Sequence, residues 1–244
     1  MKIIGIIPAR WGSTRFEGKV LAKIADKPMI QHVYERVRQA KLLDGVLIAC
    51  DDERILKAAQ KFGARAVLTA VHHLSGTDRI AEAAKNISCG LVINIQGDEP
   101  LIKARVIDEL AAVMREEKAA PMGTLIKKIE NSGEIENPNV VKVIIDQHKY
   151  ALYFSRSVIP HPRDQGNYTG RTYYKHLGIY AYRKDFLLNY KNLPKSNLEE
   201  IEKLEQLRVL EAGYKIRTVL TDVETIGVDT PEDLQRVEKI FQTN

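Results

Sequence analysis

Between residues 3 and 117 a short apolar run, a polar loop and a stretch with helical apolar spacing follow one another four times. The runs at 3–7, 45–50, 66–68 and 91–95 are apolar throughout instead of alternating. That is the pattern of parallel strands covered on both faces. Between them, residues 29–40 place Ile30, Val33, Val37 and Ala40 at helical spacing, and the next helix carries Ile55, Leu56, Ala59 and Phe62. Asp51-Asp52-Glu53 supplies its cap and acidic first turn, and Gly63 its stop. A third helix runs through Ala81, Ala84 and Ile87, and a fourth spans 104–117. The alternation predicts an α/β fold, a doubly wound and mostly parallel sheet.

The pattern changes after residue 120. Strand-like runs at 122–129 and 140–146 are separated by the turn-rich Asn131-Ser132-Gly133 and Asn137-Pro138-Asn139. A further run leads from Tyr150 to Arg156, residues 163–173 form a polar loop, and 176–182 return as a strand with His176 and Tyr180 on one face. A helix is expected over 198–212, closed by Gly213, with Glu205 inside its apolar stripe. A last strand covers 216–220. Thr230-Pro231-Glu232-Asp233 then caps a terminal helix, which leaves Asp229 for another task. We read one chain-long domain, with 1–120 plus 214–244 as a nucleotide-binding core and about 121–213 as a smaller β-rich part.

The first strand ends in the most concentrated chemistry of the chain, Pro8-Ala9-Arg10-Trp11-Gly12-Ser13-Thr14-Arg15-Phe16-Glu17-Gly18-Lys19. Pro8 is expected to end the strand, because it cannot donate a ladder hydrogen bond. Hydroxyls, glycines and the cations Arg10, Arg15 and Lys19 suit a polyphosphate, which needs many donors and charge neutralisation together. An ordinary basic loop is the alternative. A P-loop is excluded, since five residues separate Gly12 from Gly18 and Val20 follows Lys19 where a hydroxyl would be needed.

Three later stretches can complete such a site. Ser75-Gly76-Thr77 opens a helix, so it offers unpaired amides to an anion or base edge, or serves as a plain N-cap. Gln96-Gly97-Asp98-Glu99-Pro100 lies at the carboxyl end of a buried strand, where α/β sheets bind ligands, and Asp98 is placed to hold a divalent cation. His72-His73 is not read as a metal site, because adjacent residues of an extended loop point apart.

The net charge of +5 admits an anionic partner, and residues 8–27 contribute +3 of it, with five basic and two acidic side chains. Such a local excess favours a compact phosphate site over a nucleic-acid footprint. Cys50 and Cys89 read as buried free thiols, and no run reaches the roughly 18 apolar residues of a membrane span. A soluble, cytoplasmic protein is expected, without membrane insertion.

Together these stretches resemble the 3-deoxy-manno-octulosonate cytidylyltransferases, or CMP-KDO synthetases. The matching residues are Pro8-Ala9-Arg10, Ser13-Thr14-Arg15, Gly18-Lys19, Ser75-Gly76-Thr77-Asp78-Arg79 and Asn94-Ile95-Gln96-Gly97-Asp98-Glu99-Pro100. The later half adds Tyr153-Phe154-Ser155-Arg156, His176-Leu177-Gly178-Ile179-Tyr180, Leu204-Glu205-Gln206 and Gly227-Val228-Asp229-Thr230-Pro231. The family usually has Leu-Pro-Gly-Lys where this chain has Phe16-Glu17-Gly18-Lys19, which removes a fixed φ and sets an acid beside the phosphate loop.

The resemblance implies a nucleotide-diphospho-sugar transferase fold with a β-rich dimerisation part. It implies Mg²⁺-dependent transfer of a cytidylyl group from CTP to 3-deoxy-D-manno-octulosonate (KDO), a homodimer, and a role in lipopolysaccharide biosynthesis. Carried onto this sequence, it implies that Arg10 and Lys19 hold the CTP phosphates with Ser13 and Arg15 nearby. It implies that Ala9, Ser75, Gly76, Asp78, Arg79 and Gln96 surround cytosine and ribose. Asp98 and Asp229 would bring Mg²⁺ to the α-phosphate, and Arg10, Lys19, Asp98 and Asp229 form the catalytic set. Arg156, His176, Tyr180, Glu205 and Gln206 would bind the sugar acid, Arg156 through its carboxylate. Two other readings stand beside this one: a cytidylyltransferase for another keto-sugar acid such as sialic acid, and a non-enzymatic basic nucleotide- or RNA-binding protein.

Overall fold

Residues 1–12, 16–73, 75–163 and 170–243 are described by a computed structural model. In chain order their elements begin with strands β1 (Ile3–Ala9), β2 (Lys23–Ile24) and β3 (Lys27–Pro28), helix α1 (Met29–Val37), β4 (Gly45–Cys50) and α2 (Glu53–Lys61). There follow β5 (Ala66–Leu68), α3 (Gly76–Ala84), β6 (Leu91–Asn94), α4 (Ala104–Glu116), β7 (Met122–Lys128) and α5 (Gly133–Glu136). The rest are β8 (Lys142–Ile145), β9 (Ala151–Ser155), β10 (Tyr174–Arg183), α6 (Lys184–Asn189), α7 (Asn197–Glu202), α8 (Gln206–Glu211), β11 (Ile216–Thr221) and α9 (Pro231–Thr243).

The main sheet runs β11-β7-β10-β6-β1-β4-β5, with the β8–β9 hairpin attached to β10. Pairings of β1 with β4 and β6, of β4 with β5 and of β11 with β7 are parallel, and β10 is antiparallel to β6, β7 and β8. The unbroken apolar runs are explained by cover on both faces. Ile3, Ile7, Leu91 and Ile93 pack with Val33 and Val37 of α1, Ile55 of α2 and Leu110 of α4. On the other face Ile6 and Val92 pack with Ile80 of α3, Leu187 of α6 and Leu207 of α8. The sheet passes without interruption from β6 through β10 to β7, so both regions read from the sequence share one set of strands.

Two expectations differ from the structure. Pro8 does not end β1, which continues to Ala9 with Pro8 opposite Ala49 of β4. The Ile6 carbonyl accepts from Ile95 N on the β6 side, so by alternation Pro8 also faces that side, where the β6 pairing has already stopped. No N–H is needed there, and the proline costs no hydrogen bond. The helix expected over 198–212 is two helices, α7 and α8, broken where Lys203 takes a left-handed conformation at φ 54°. Ile201 is therefore not part of a core stripe and is 70% exposed.

β1 lies between β4, reached first, and β6, reached after the chain crosses back, so the order reverses beside β1. The crevice outside the carboxyl ends of β1 and β6 is where sheets of this kind bind ligands.

Candidate active site

A cavity of about 280 Å³ opens at that crevice. Pro8, Ala9 and Arg10 line it from the end of β1, Gln96, Gly97 and Asp98 from the end of β6, and Ser75, Gly76 and Arg79 from the start of α3. Lys19, Asp229 and Glu205 complete it from three connecting segments. The floor depends on a glycine, since a Cβ on Gly97 would lie 2.8 Å from the Pro8 carbonyl oxygen. Val228 N donates to the Asp98 carbonyl at 2.9 Å, which joins the segment before α9 to the end of β6 and sets Asp229 beside Asp98.

Charge of both signs meets here. Lys19 Nζ lies 2.7 Å from Asp98 Oδ2 and 3.1 Å from Asp229 Oδ1. Two carboxylates that share one ammonium are spaced to share a small divalent cation as well. Mg²⁺ is commonly held by one or two carboxylates with substrate phosphates completing the shell, so the donor set fits. Among the described residues no group of three or more His, Cys, Asp or Glu side chains is gathered for a metal. Next to the pair, Glu99 is buried, and burial, with the Asp98 charge second, raises its carboxyl to about 8. Its Oε2 lacks a hydrogen-bond partner among the described residues.

Ala9, Arg10, Lys19, Ser75, Gly76, Arg79, Gln96, Asp98 and Asp229 thus come together from five segments of sequence. Ser13 and Arg15, with Thr14, lie outside the described residues. Asp78 is not on the cavity wall. Its amide donates to Ser75 Oγ at 3.1 Å and its carboxylate accepts from the same hydroxyl at 3.2 Å, so it belongs to the cap of α3. Arg79 is only 2% exposed, and its guanidinium is engaged by Asp51 at 3.0 Å and Thr69 at 2.6 Å. Gln96 donates to the Gly178 carbonyl at 2.8 Å, which ties β6 to β10. His73 joins the wall although sequence reading set it aside. The two histidines sit in a turn with ring centroids 5.3 Å apart, and His73 Nε2 bonds Glu82.

A second cavity of about 240 Å³ shares Gly76, Gln96 and Glu205 with the first. It adds Asn94, His176, Tyr180 and Gln206. Four residues along a flat strand would hold the His176 and Tyr180 rings far apart, yet their centroids lie 5.3 Å apart. The cause is a bulge, for His176 and Leu177 pair with Ile126 and Leu125 while Tyr180 pairs with Thr124. Thr124 Oγ1 stitches the bulge through the Leu177 and Ile179 carbonyls and lies 3.0 Å from His176 Nε2. Tyr180 donates to Gln206 Oε1 at 3.2 Å. Gln206 and Asn94 are each 2% exposed, and Gln206 Nε2 and Asn94 Oδ1 have no partner among the described residues. A buried donor and acceptor left open in this way suit a ligand rich in hydroxyls. Glu205 accepts from Thr77 Oγ1 at 2.9 Å, and burial raises its carboxyl.

Arg156 lines neither cavity. Its Nε donates to the Glu202 carbonyl at 2.8 Å and its Nη1 to the Pro138 carbonyl at 3.1 Å, so it joins α7 to the 137–139 turn.

Burial lowers the His176 imidazole to about 3. Unfolded, the group titrates near 6.5, so between about 6.5 and 3 the unfolded chain binds a proton that the folded chain does not. The stability contributed by neutral His176 is present above that window and is lost as pH falls through it. Melting curves from pH 7 to 4 should show a steeper fall for the unaltered protein than for His176→Gln; parallel curves would contradict the assignment.

Parallel strands covered on both faces, with a two-signed cavity at the reversal point, define an α/β protein of the doubly wound class that binds a ligand beyond the carboxyl ends of its strands. The cytidylyltransferase family matches residues 4–216. The 3-deoxy-manno-octulosonate cytidylyltransferase of Solibacter usitatus is 54% identical over 100% of this chain and 96% of its own length. That of Thermodesulfovibrio yellowstonii is 50% identical over 100% and 99%. The structure of a CMP:2-keto-3-deoxy-manno-octonic acid synthetase complexed with CTP superposes with a TM-score of 0.94 at 45% identity, covering 100% of this chain and 99% of the other. The chain belongs to the 3-deoxy-manno-octulosonate cytidylyltransferases.

Proposed function

We propose that this protein transfers the cytidylyl group of CTP to KDO, giving CMP-KDO and pyrophosphate. The observation that carries the reading is the pair of joined cavities. One is lined by Arg10, Lys19, Asp98 and Asp229 for a nucleotide triphosphate, and the other, with open hydrogen-bonding groups, suits a polyhydroxylated acid. Family membership supports the same substrates. Asp98 and Asp229 are the residues that would hold Mg²⁺, which would neutralise phosphate charge and lower the pKa of a coordinated sugar hydroxyl.

Attack by a sugar hydroxyl on a triphosphate is opposed by charge repulsion, and the cations of the first cavity act against it. Arg10 is exposed at the rim, where its guanidinium can reach non-bridging phosphate oxygens as charge moves to pyrophosphate. Lys19 is anchored at the inner end by its two carboxylates, so its charge is preorganised before nucleotide arrives. The first-turn amides of α3 face the same space at Gly76. Glu205 and Gln96 stand on both walls and would orient the sugar hydroxyl toward the α-phosphate. His176, Tyr180 and Gln206 would fix the sugar ring. Ala9, Ser75 and Gln96 would frame the base and ribose, with Ser13 and Arg15 of the loop contributing phosphate donors. A homodimer, a cytoplasmic location and a place in lipopolysaccharide biosynthesis belong to the same proposal. No described helix is long and apolar enough to cross a membrane.

The test is pyrophosphate release from CTP with KDO and sialic acid offered in parallel. Release with KDO at least about a hundredfold faster, in kcat/KM, than with sialic acid is expected, since buried polar groups reject a sugar that leaves them unpaired. Equal rates would move the assignment to a broader keto-sugar acid transferase.

A further inference from the structure

Trp11 is the single tryptophan of the chain and stands where β1 gives way to the segment leading to Lys19. Its indole Nε1 donates to Glu17 Oε1 at 2.7 Å, and its carbonyl accepts from Gly18 N at 3.0 Å. Its own amide donates to Asp51 Oδ1 at 2.8 Å. On the indole face lies Arg54, whose guanidinium carbon is 3.5 Å from the ring centroid. Arg54 is held in turn by Asp52, the cap of α2, through two contacts of 2.8 and 2.6 Å. The two ends of the segment are therefore tied to each other and to α2. Gly18 takes φ +65°, and a Cβ there would come within 2.9 Å of the indole. The ring lies against the backbone immediately before Lys19, and only glycine leaves it room.

None of Trp11, Glu17 and Arg54 lines the nucleotide cavity. We propose that these three side chains are positioning residues which hold Lys19 against the CTP phosphates, with the indole clamped between the Glu17 hydrogen bond and the Arg54 face. The proposal rests on the reading of the cavity as a CTP site. Glu17 and Arg54 are exposed, so their mutual attraction is screened by water, and the indole hydrogen bond and the stacked guanidinium carry the arrangement. A lysine fixed in this way loses little freedom when the nucleotide arrives, which lowers the cost of binding, while Asp98 and Asp229 go on holding its ammonium for the chemical step. The acid at position 17 then closes the turn through the indole, where a proline would have fixed φ.

The experiment measures CTP affinity by titration calorimetry in the presence of Mg²⁺, steady-state kinetics, and the emission of Trp11, for the unaltered protein and for Arg54→Gln, Glu17→Ala and Glu17→Gln. Arg54→Gln and Glu17→Ala are expected to raise Kd and KM for CTP about tenfold. Their kcat and their KM for KDO should stay within about twofold, and their emission should shift to the red as the indole is released into water. Glu17→Gln keeps an acceptor for the indole and should remain close to the unaltered protein. If Glu17 merely repels phosphate, Glu17→Ala and Glu17→Gln will both tighten CTP, and that overturns the proposal. Unchanged affinity and emission in all three variants overturns it too. Failure of the unaltered protein to bind CTP is a separate result, and it would strike the CTP reading itself.

Discussion

Asp98→Ala and Asp229→Ala should each lower kcat by about a thousandfold or more at the Mg²⁺ and CTP concentrations that saturate the unaltered protein, because the reaction gathers negative charge that these residues would help to neutralise through a bound cation. Both carboxylates meet at Lys19 Nζ, so either substitution leaves half of a shared site. The fold should survive. Asp229 is 57% exposed and Asp98 32%, and neither side chain lies within an apolar cluster. Melting temperature should therefore change little while turnover disappears. Raising Mg²⁺ should restore part of the rate in Asp229→Ala, the more exposed position, before it does so in Asp98→Ala. A kcat within about tenfold of normal in either variant would remove the metal assignment.

Arg79→Met should fail in a different way. Its guanidinium pairs with Asp51, and the two side chains are 3% and 11% exposed. Asp51 also accepts the Trp11 amide, and Arg79 also donates to Thr69 and to the Ala70 carbonyl at 3.4 Å. Removing one partner of a buried pair costs about 3–5 kcal/mol, because a desolvated carboxylate is left behind. For a chain of this size that corresponds to a fall in Tm of roughly 10 °C. The activity lost should follow the unfolded fraction, and KM for CTP measured well below the melting transition should rise by less than about threefold. A normal Tm with a large rise in KM would instead give Arg79 the direct nucleotide contact expected from the sequence.

Sequence reading reaches local structure and stops at contacts between distant segments. The strand-to-helix junctions were legible because their causes are local. A continuous apolar run must be covered on both faces, a Thr-Pro-x-Asp box must start a helix, and ligand chemistry collects where strands end. Thr230 and Asp233 do exchange cap bonds, each amide donating to the other's side chain at 3.0 and 3.2 Å. Contacts between distant segments were not legible. Nothing in the order of residues says that Arg79 reaches 28 positions back to Asp51. Nor does it say that a bulge in β10 draws His176 onto Tyr180, or that Lys203 breaks a helix whose spacing looks continuous. Arg156 is the clearest case. Its charge suggested a carboxylate ligand, and the folded chain adds bonds to the Glu202 and Pro138 carbonyls that no local pattern announces.

Phosphorus NMR of CTP incubated with KDO, Mg²⁺ and this protein follows every phosphate at once. Cytidylyl transfer requires the three CTP resonances to be replaced by pyrophosphate and one phosphodiester, in equal amounts and only when KDO is present. Unchanged CTP, or its conversion to CDP and inorganic phosphate, would contradict the function assigned to the joined cavities.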